Sequence, residues 1–585
     1  MSRGTETGDG CRRGSREART LAEALDEAAR GGEGIRFFDA RGKSTGELSY
    51  AELRERARQL ARRLPVLVPE RGDRVGILAE TGPEFLIAFH ACQLSGRVAV
   101  PLPAVSNLGG RVGYEKRLRS ILEESEIRAV FAPEARLESL SGLGDAAACG
   151  IALSSVHALA EAPPARGGAV DPLGPGEISH IQFSSGSTRF PRGIRISQRA
   201  VMANARSIGR DALALGPGDS ALSWLPFYHD MGLIGCVIVP MVCGIPIDYL
   251  HTDDFARNPA QWLRLMSARG HSLSFAPSFG YEICARLFEK RPVRDLDLSK
   301  WRVAGVGGDM VEPGALRRFA KTFEDAGFRP GAFMPGYGLA EATLAVTFER
   351  PDHGFETDPV DKTLLTTLGR ALPPDGAKGG AVRHFVSSGY PMPGYAVEIL
   401  DDSGVRLPER RVGQVWVRGP ALMDGYHDER RADPLASEPG KKDRMLDTGD
   451  MGYLAEGKLF VTGRRKDMIL INGRNIWPQD LEWFVEREVE SVRIRDTAAF
   501  AALTEDDREE AVLLVQCRSR DTEALAALRK SVRACVRRNA GIDCRVELVP
   551  PRSLPFTTSG KLMRSRAKAD WLEGKYEAVS APAAG

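Results

Sequence analysis

The sequence predicts an α/β protein: a large N-terminal body of layered, mostly parallel sheets and helices, followed by a small α+β C-terminal domain. Three observations carry that expectation. From Arg71 onward, short apolar strands alternate with helical stretches, as in DRVGILAE, GPEFLIAFHACQLSG and VAVPLP, the pattern of helix-covered parallel sheets. The alternation continues past Ile196 and Trp224, then changes character after GRRKDMILINGRN at 463–475. Finally, 585 residues exceed what one hydrophobic core usually serves.

The elements follow in order. Residues 1–18 read as a disordered polar arm without the apolar core of a secretory signal. LAEALDEAAR reads as a helix. FFDARGKSTGELSYAEL reads as a strand, a Gly-bounded turn and a helix capped near Ser49. ISHIQFSS is a strand leading into a hydroxyl-rich turn. The longest apolar run, MGLIGCVIVPMVCGIPI at 231–247, is interrupted by Gly235, Pro240, Gly244 and Pro246, so buried core elements are expected rather than a membrane span. Beyond residue 475, DTAAFAAL and EEAVLLVQC read as strands, TEALAALRKSVRACVRRNA as a helix and CRVELVP as a strand, together about the size of a domain. The expected division is an arm at 1–18, a body at 19–463, a hinge at 464–466 and a C-terminal domain at 467–585.

Composition narrows the function classes. Eighty basic residues nearly cancel seventy-eight acidic ones, so nothing global points to nucleic acid or an anionic membrane. The nine cysteines are scattered with no CxxC pair, which argues against a disulfide scaffold or zinc site and fits a reducing cytoplasm.

Three nucleotide or nucleophile fingerprints fail. GKSTG at 42–46 has the letters of a nucleophile elbow but lies in a polar turn, whereas the elbow needs a strand before it and a helix directly after. As the end of a Walker loop, the same stretch has Phe37 where the first glycine belongs. GVGGDM at 305–310 has Met310 in place of the last glycine of a dinucleotide fingerprint. SSGSTRFPRG at 184–193 is more promising. Gly186 permits an unusual turn, and Ser184, Ser185, Ser187 and Thr188 offer hydroxyls. With backbone amides and the guanidinium groups of Arg189 and Arg192, they would make a polyphosphate cradle. Alone, the segment reads equally as a solvated hairpin.

SSGSTRFPRG resembles the phosphate loop of the adenylate-forming superfamily, which includes acyl-CoA synthetases, peptide-synthetase adenylation domains, luciferases and fatty acyl-AMP ligases. WLPFYHDMGLIG (224–235), GYGLAEAT (336–343), LDTGD (446–450), GRRKDMILINGRNIWPQDLE (463–482) and LPFTTSGK (554–561) resemble its other motifs, in the right order. The resemblance implies attack of a carboxylate on the α-phosphate of ATP, giving acyl-AMP and pyrophosphate. Lys561 matches the lysine that reaches from the small domain to the reacting groups, and His229 the residue beside the carboxylate. Asp450 matches the ribose-binding aspartate, with Arg464 supporting ribose or phosphates. Tyr337, between Gly336 and Gly338, would pack on adenine, and Asp309 would read its amino group. Glu341, with Thr188, would help hold Mg²⁺. Lys466 would be the hinge of a mobile C-terminal domain. The acyl pocket is expected near Trp224, Phe275, Ser278, Phe279 and Met334.

The motif spellings are similar to those of fatty acyl-AMP ligases, and the long span 341–394 matches the place where that family carries an insertion associated with impeding domain movement. The implied substrate is a medium- or long-chain fatty acid. The implied acceptor is the phosphopantetheine thiol of a separate acyl carrier protein, since no carrier-type GGxS segment follows Lys561. The basic helix at 529–538 could meet an acidic carrier, or be a solvated face. A long-chain acyl-CoA synthetase and a non-catalytic adenylate- or fatty-acid-binding homologue are the competing readings. The chain departs from the superfamily at Arg189 for a common glycine, Arg192 for lysine and Gln198 for a frequent histidine. Arginine keeps the lysine's charge but changes its geometry.

Overall fold

The computed structural model describes residues 17–104, 114–141, 151–165, 170–183, 192–292, 295–375, 381–428, 434–437, 444–471, 474–503, 509–557 and 560–576. The N-terminal body is built on two large sheets and a five-stranded antiparallel one made of Ala396–Leu400, Gly413–Arg418, Leu435–Ser437, Arg444–Ala455 and Lys458–Arg464. In the first, Ala152–Ser154, Ile127–Phe131, Arg74–Leu78, Val98–Leu102 and Ile178–Phe183 run parallel, and Gly193–Ser197 closes the edge antiparallel. In the second, six parallel strands run in the order Gly34–Phe38, Ile247–Leu250, Ala221–Ser223, Leu273–Ala276, Val303–Val306 and Phe333–Gly338. Antiparallel edges lie outside them: Ser44–Ser49 on one side, Ala345–Phe348 and Tyr390–Pro391 on the other. The helix Pro83–Ser95 is apolar on nearly every face and correspondingly buried.

Local chemistry explains several elements. Ser49 starts the helix Tyr50–Ala61 by accepting from the Glu52 amide at 3.1 Å. The expected turn before it is a hairpin, because Ser44–Ser49 pairs back onto Gly34–Phe38. GKST thus leads into a strand rather than a helix, and the elbow geometry is absent there. The apolar run at 231–247 becomes helical turns, Met231–Ile238 and Val239–Cys243, then the buried strand Ile247–Leu250. Among the described residues, no helix is long and apolar enough to cross a membrane.

After residue 463 the chain builds a separate sheet. Thr497–Leu503 pairs antiparallel with Glu509–Gln516, which pairs parallel with Cys544–Val549. A parallel neighbour needs a crossover, and the helix Thr522–Ala540 supplies it. Two apolar clusters, one around Leu513 and Val536 and one around Phe500 and Leu554, give this region its own core. The long 341–394 span also folds: Thr357–Asp361 and Val382–Val386 form a two-stranded sheet around the helix Lys362–Leu368.

Candidate active site

Parallel strands place their carboxyl ends, and the loops that follow, along one edge. There a cleft of about 420 Å³ opens beyond Phe183, Val306 and the Gly336–Gly338 end of its strand. Its far side comes from the 447–450 strand segment, from 464–466, and from Lys561 of the C-terminal region. The cleft therefore gathers Arg192, His229, Phe275, Gly336, Tyr337, Gly338, Glu341, Asp450, Arg464, Lys466 and Lys561 from separate motifs. Ser184, Ser185, Gly186, Ser187, Thr188 and Arg189 lie outside the described residues. Their flanks, Phe183 and Arg192, both line the cleft.

Around Asp450 the polar contacts are tight. The Tyr337 hydroxyl donates to its Oδ2 at 2.7 Å, and Arg464 Nε lies 3.5 Å from its Oδ1. Burial pushes the Asp450 carboxyl up, against the pull of Arg464. Tyr337, expected to present its ring to a base, also spends its hydroxyl on this carboxylate. Arg465 NH2 donates to Asp447 at 2.8 Å. Arg192, Arg464, Arg465 and Lys466 thus bring four cationic side chains to the lining.

Two hydrogen bonds tie the Lys561 backbone to Thr557. Its amide donates to Thr557 Oγ1 at 2.9 Å, and its carbonyl accepts from the Thr557 amide at 2.7 Å. Burial lowers the ammonium pKa, while Asp230 and Asp309 act to raise it. His229 Nδ1 sits 2.6 Å from Asp230 Oδ1. Burial alone would raise the Asp230 carboxyl, but His229 and then Lys561 outweigh it and hold the carboxyl at about 2.

Beside this polar centre stands an apolar wall: Phe183, Met231, Phe275, Leu344 and Phe348. Phe275 packs edge-on to Phe348 with ring centroids 6.3 Å apart. Gly305 makes room for it, since a Cβ there would come within 2.0 Å of the Phe275 ring.

Other expected residues lie elsewhere. Trp224 is 1% exposed and stacks on Phe255 at 3.7 Å, and Met334 is 1% exposed within the large sheet. Both lie in the buried core and outside the cleft lining; aromatic and thioether side chains serve core packing well. Ser278 and Phe279 line a different groove, between the body and the C-terminal region, where Arg495 lies 4.9 Å from the Phe279 centroid. Asp309 borders that groove and a second small cavity, and its carboxylate accepts from the Met310 amide. Gln198, in place of a frequent histidine, is fully buried and bonds Gln93 and the Leu21 amide.

Asp230, Tyr426 and Phe348 line the cleft without having been singled out. Asp230 was findable as the neighbour of His229; Tyr426 and Phe348 carried no spacing signal.

The comparisons with known proteins agree with this geometry. The AMP-binding enzyme family matches residues 25–427. A Caulobacter vibrioides protein provisionally named an acyl-CoA synthetase is 40% identical over 560 residues, 95% of this chain and 96% of that one. JamA of Moorena producens, named a medium-chain-fatty-acid–[acyl-carrier-protein] ligase, is 31% identical over 554 residues, 92% of this chain and 91% of its own. A solved structure from work on fatty acyl-adenylate ligases of E. coli and L. pneumophila matches with a TM-score of 0.88 and 39% identity, covering 95% of this chain and 98% of that chain. With a full-length fold match, a family match across most of the body and a cleft that collects the motif residues, the chain belongs to the AMP-binding enzymes and has the α/β adenylate-forming fold.

Proposed function

We propose that the protein is a fatty acyl-AMP ligase. The observation that carries this is the meeting of Lys561, Asp450, Arg464 and His229 beside an apolar wall in one cleft. A fatty acid carboxylate oxygen attacks the α-phosphorus of ATP, and the bond to pyrophosphate breaks. Both reactants are anions, so the site's task is to supply positive charge and alignment. Lys561 meets the carboxylate and α-phosphate, and Asp450 accepts from the ribose hydroxyls. Arg464 and Arg192 face phosphate oxygens, with the 184–189 loop completing the cradle. His229, held by Asp230, orients the carboxylate; no base is needed, since a carboxylic acid is already ionised at neutral pH. Phe275, Leu344 and Phe348 hold the start of the acyl chain.

Among the described residues no group of three or more His, Cys, Asp or Glu could hold a metal by itself. Mg²⁺ is a hard cation usually held by one or two carboxylates plus substrate phosphates. Glu341 would be its protein ligand, with Thr188, and it would neutralise phosphate charge. The acceptor of the acyl group is a carrier-protein thiol supplied in trans, in a reducing cytoplasm. The division into a body ending at 463, a hinge about Lys466 and a C-terminal domain from 467 belongs to the same reading.

The acyl-CoA ligase alternative is favoured by the name of the Caulobacter relative. Fatty-acid-dependent pyrophosphate release, with hydroxylamine trapping across a series of acids, tests the proposal. Hydroxamate from saturated C8–C18 acids is expected. Absence of acid-dependent release with every acid would leave only a binding role.

A further inference from the structure

The segment 421–427 is stitched to both sides of the cleft's Arg192–Glu341 end. On one side it extends the strand Gly193–Ser197. The Asp424 amide donates to the Arg195 carbonyl at 2.9 Å, Arg195 to Gly425 at 3.1 Å, and His427 to Gly193 at 2.8 Å. On the other side the Met423 amide donates to the Glu341 carbonyl at 2.9 Å, and Thr343 Oγ1 to the Ala421 carbonyl at 2.7 Å. Tyr426 stands between these two anchorages and is 6% exposed. Its hydroxyl donates to Glu341 Oε1 at 3.2 Å and accepts from Arg192 NH1 at 3.2 Å. The same guanidinium carbon lies 5.2 Å from the Tyr426 ring centroid.

We infer that Tyr426 is a positioning residue for the phosphate end of the site. One hydroxyl sets the spacing between the acid of Glu341 and the guanidinium of Arg192, while the ring limits the arginine's rotation. Long side chains lose considerable rotamer freedom when a ligand orders them. Fixing them beforehand lowers that cost, so the pair meets triphosphate oxygens ready-made. This inference rests on the adenylation reading above and adds to it a residue that touches the phosphate ligands rather than the phosphates.

The test uses the full-length protein and Tyr426→Phe, which keeps the ring and removes the hydroxyl. Calorimetric titration with α,β-methylene-ATP and Mg²⁺, without fatty acid, should show affinity falling about tenfold for the two lost hydrogen bonds. The KM for dodecanoate should stay within about twofold, because the acyl wall is untouched. In an Arg192→Gln background the same change should cost less than about threefold, since residues acting through one network are non-additive. Unchanged nucleotide affinity in Tyr426→Phe, or fully additive losses in the double variant, would overturn the inference. If Tyr426→Phe melts early, Arg192→Gln alone still decides: a nucleotide affinity no lower than wild type removes the partner Tyr426 is said to position. A wild-type protein that binds no nucleotide would instead sink the adenylation reading, and this inference with it.

Discussion

Where the Lys561 segment meets the body, an arginine held over two aromatic rings is joined by a largely exposed ion pair; where the 341–394 span meets the C-terminal region, the ion pair itself is buried. On the cleft side, Arg495 lies over Phe279 of the body and over Phe556, 4.9 and 4.2 Å from their centroids, and donates to the Gly560 carbonyl. Nearby, Arg487 pairs with Glu312 at 3.3 Å, its side chain 45% exposed. On the insertion side, Arg383 lies between Phe385 and Trp477, 4.2 and 4.7 Å from their centroids, and pairs with Asp480 at 2.8 Å. Those two side chains are only 9% and 11% exposed. Trp477 shares a core with Val360, Leu365 and Phe385 of the insertion. Gly463 permits that approach: its φ is 152°, and a Cβ there would come within 2.3 Å of the indole. Lys362 adds a hydrogen bond to the Asn539 carbonyl. Water can replace the exposed Arg487–Glu312 pair at little cost, whereas loosening the Arg383 contact would bare a buried ion pair and an indole. Of the two ion pairs, the one made by the 341–394 span is the more buried; under the proposed function, that span would favour the orientation with Lys561 in the cleft.

The comparison can be broken in four places. Lys561→Ala should have the largest effect: roughly a thousandfold less acyl-AMP formation, from losing charge stabilisation at the reacting groups. ATP affinity by calorimetry should hold within about threefold; intact turnover would remove Lys561 from the reaction. Arg383→Ala should destabilise the attachment by about 3 kcal/mol in denaturant unfolding, because it leaves Asp480 buried without its partner. An unchanged midpoint would show the insertion contact to be slack.

Asp230 supplies a smaller, pH-dependent term. Its folded pKa of about 2 lies below the unfolded carboxylate value. Its contribution, on the order of 2 kcal/mol, is therefore present above about pH 4 and lost as pH falls through about 2. Stability curves of wild type and Asp230→Asn should converge across that window; parallel curves would contradict the assignment. Arg487→Ala is expected to cost least, under about 1 kcal/mol, and a loss as large as that of Arg383→Ala would erase the distinction between the two attachments.

Much of this was legible in the sequence. Thr497–Leu503, Glu509–Gln516, Thr522–Ala540 and Cys544–Val549 all fall where apolar patterning puts them. Asp450, Glu341 and Lys561 could be singled out because each sits in a short linear motif, Asp450 inside the strand Arg444–Ala455 and Glu341 in the helical turn Ala340–Ala342. The acyl wall was harder. Phe275, Leu344 and Phe348 come from different strands, and only tertiary packing decides that Phe275 faces the cleft while Trp224 and Met334 face the core. The Arg383–Asp480 pair spans almost a hundred residues of sequence and carries no spacing rule. Tyr426 is set by backbone pairing between 424–427 and the strand Gly193–Ser197, which composition does not encode.

The central claim is that the cleft makes acyl-AMP rather than acyl-CoA. The most direct measurement gives the wild-type protein ATP, Mg²⁺, dodecanoate and excess CoA, and follows acyl-AMP and acyl-CoA together by mass spectrometry. The account predicts steady acyl-AMP with acyl-CoA at least about tenfold slower. Acyl-CoA formed as fast as acyl-AMP would contradict it.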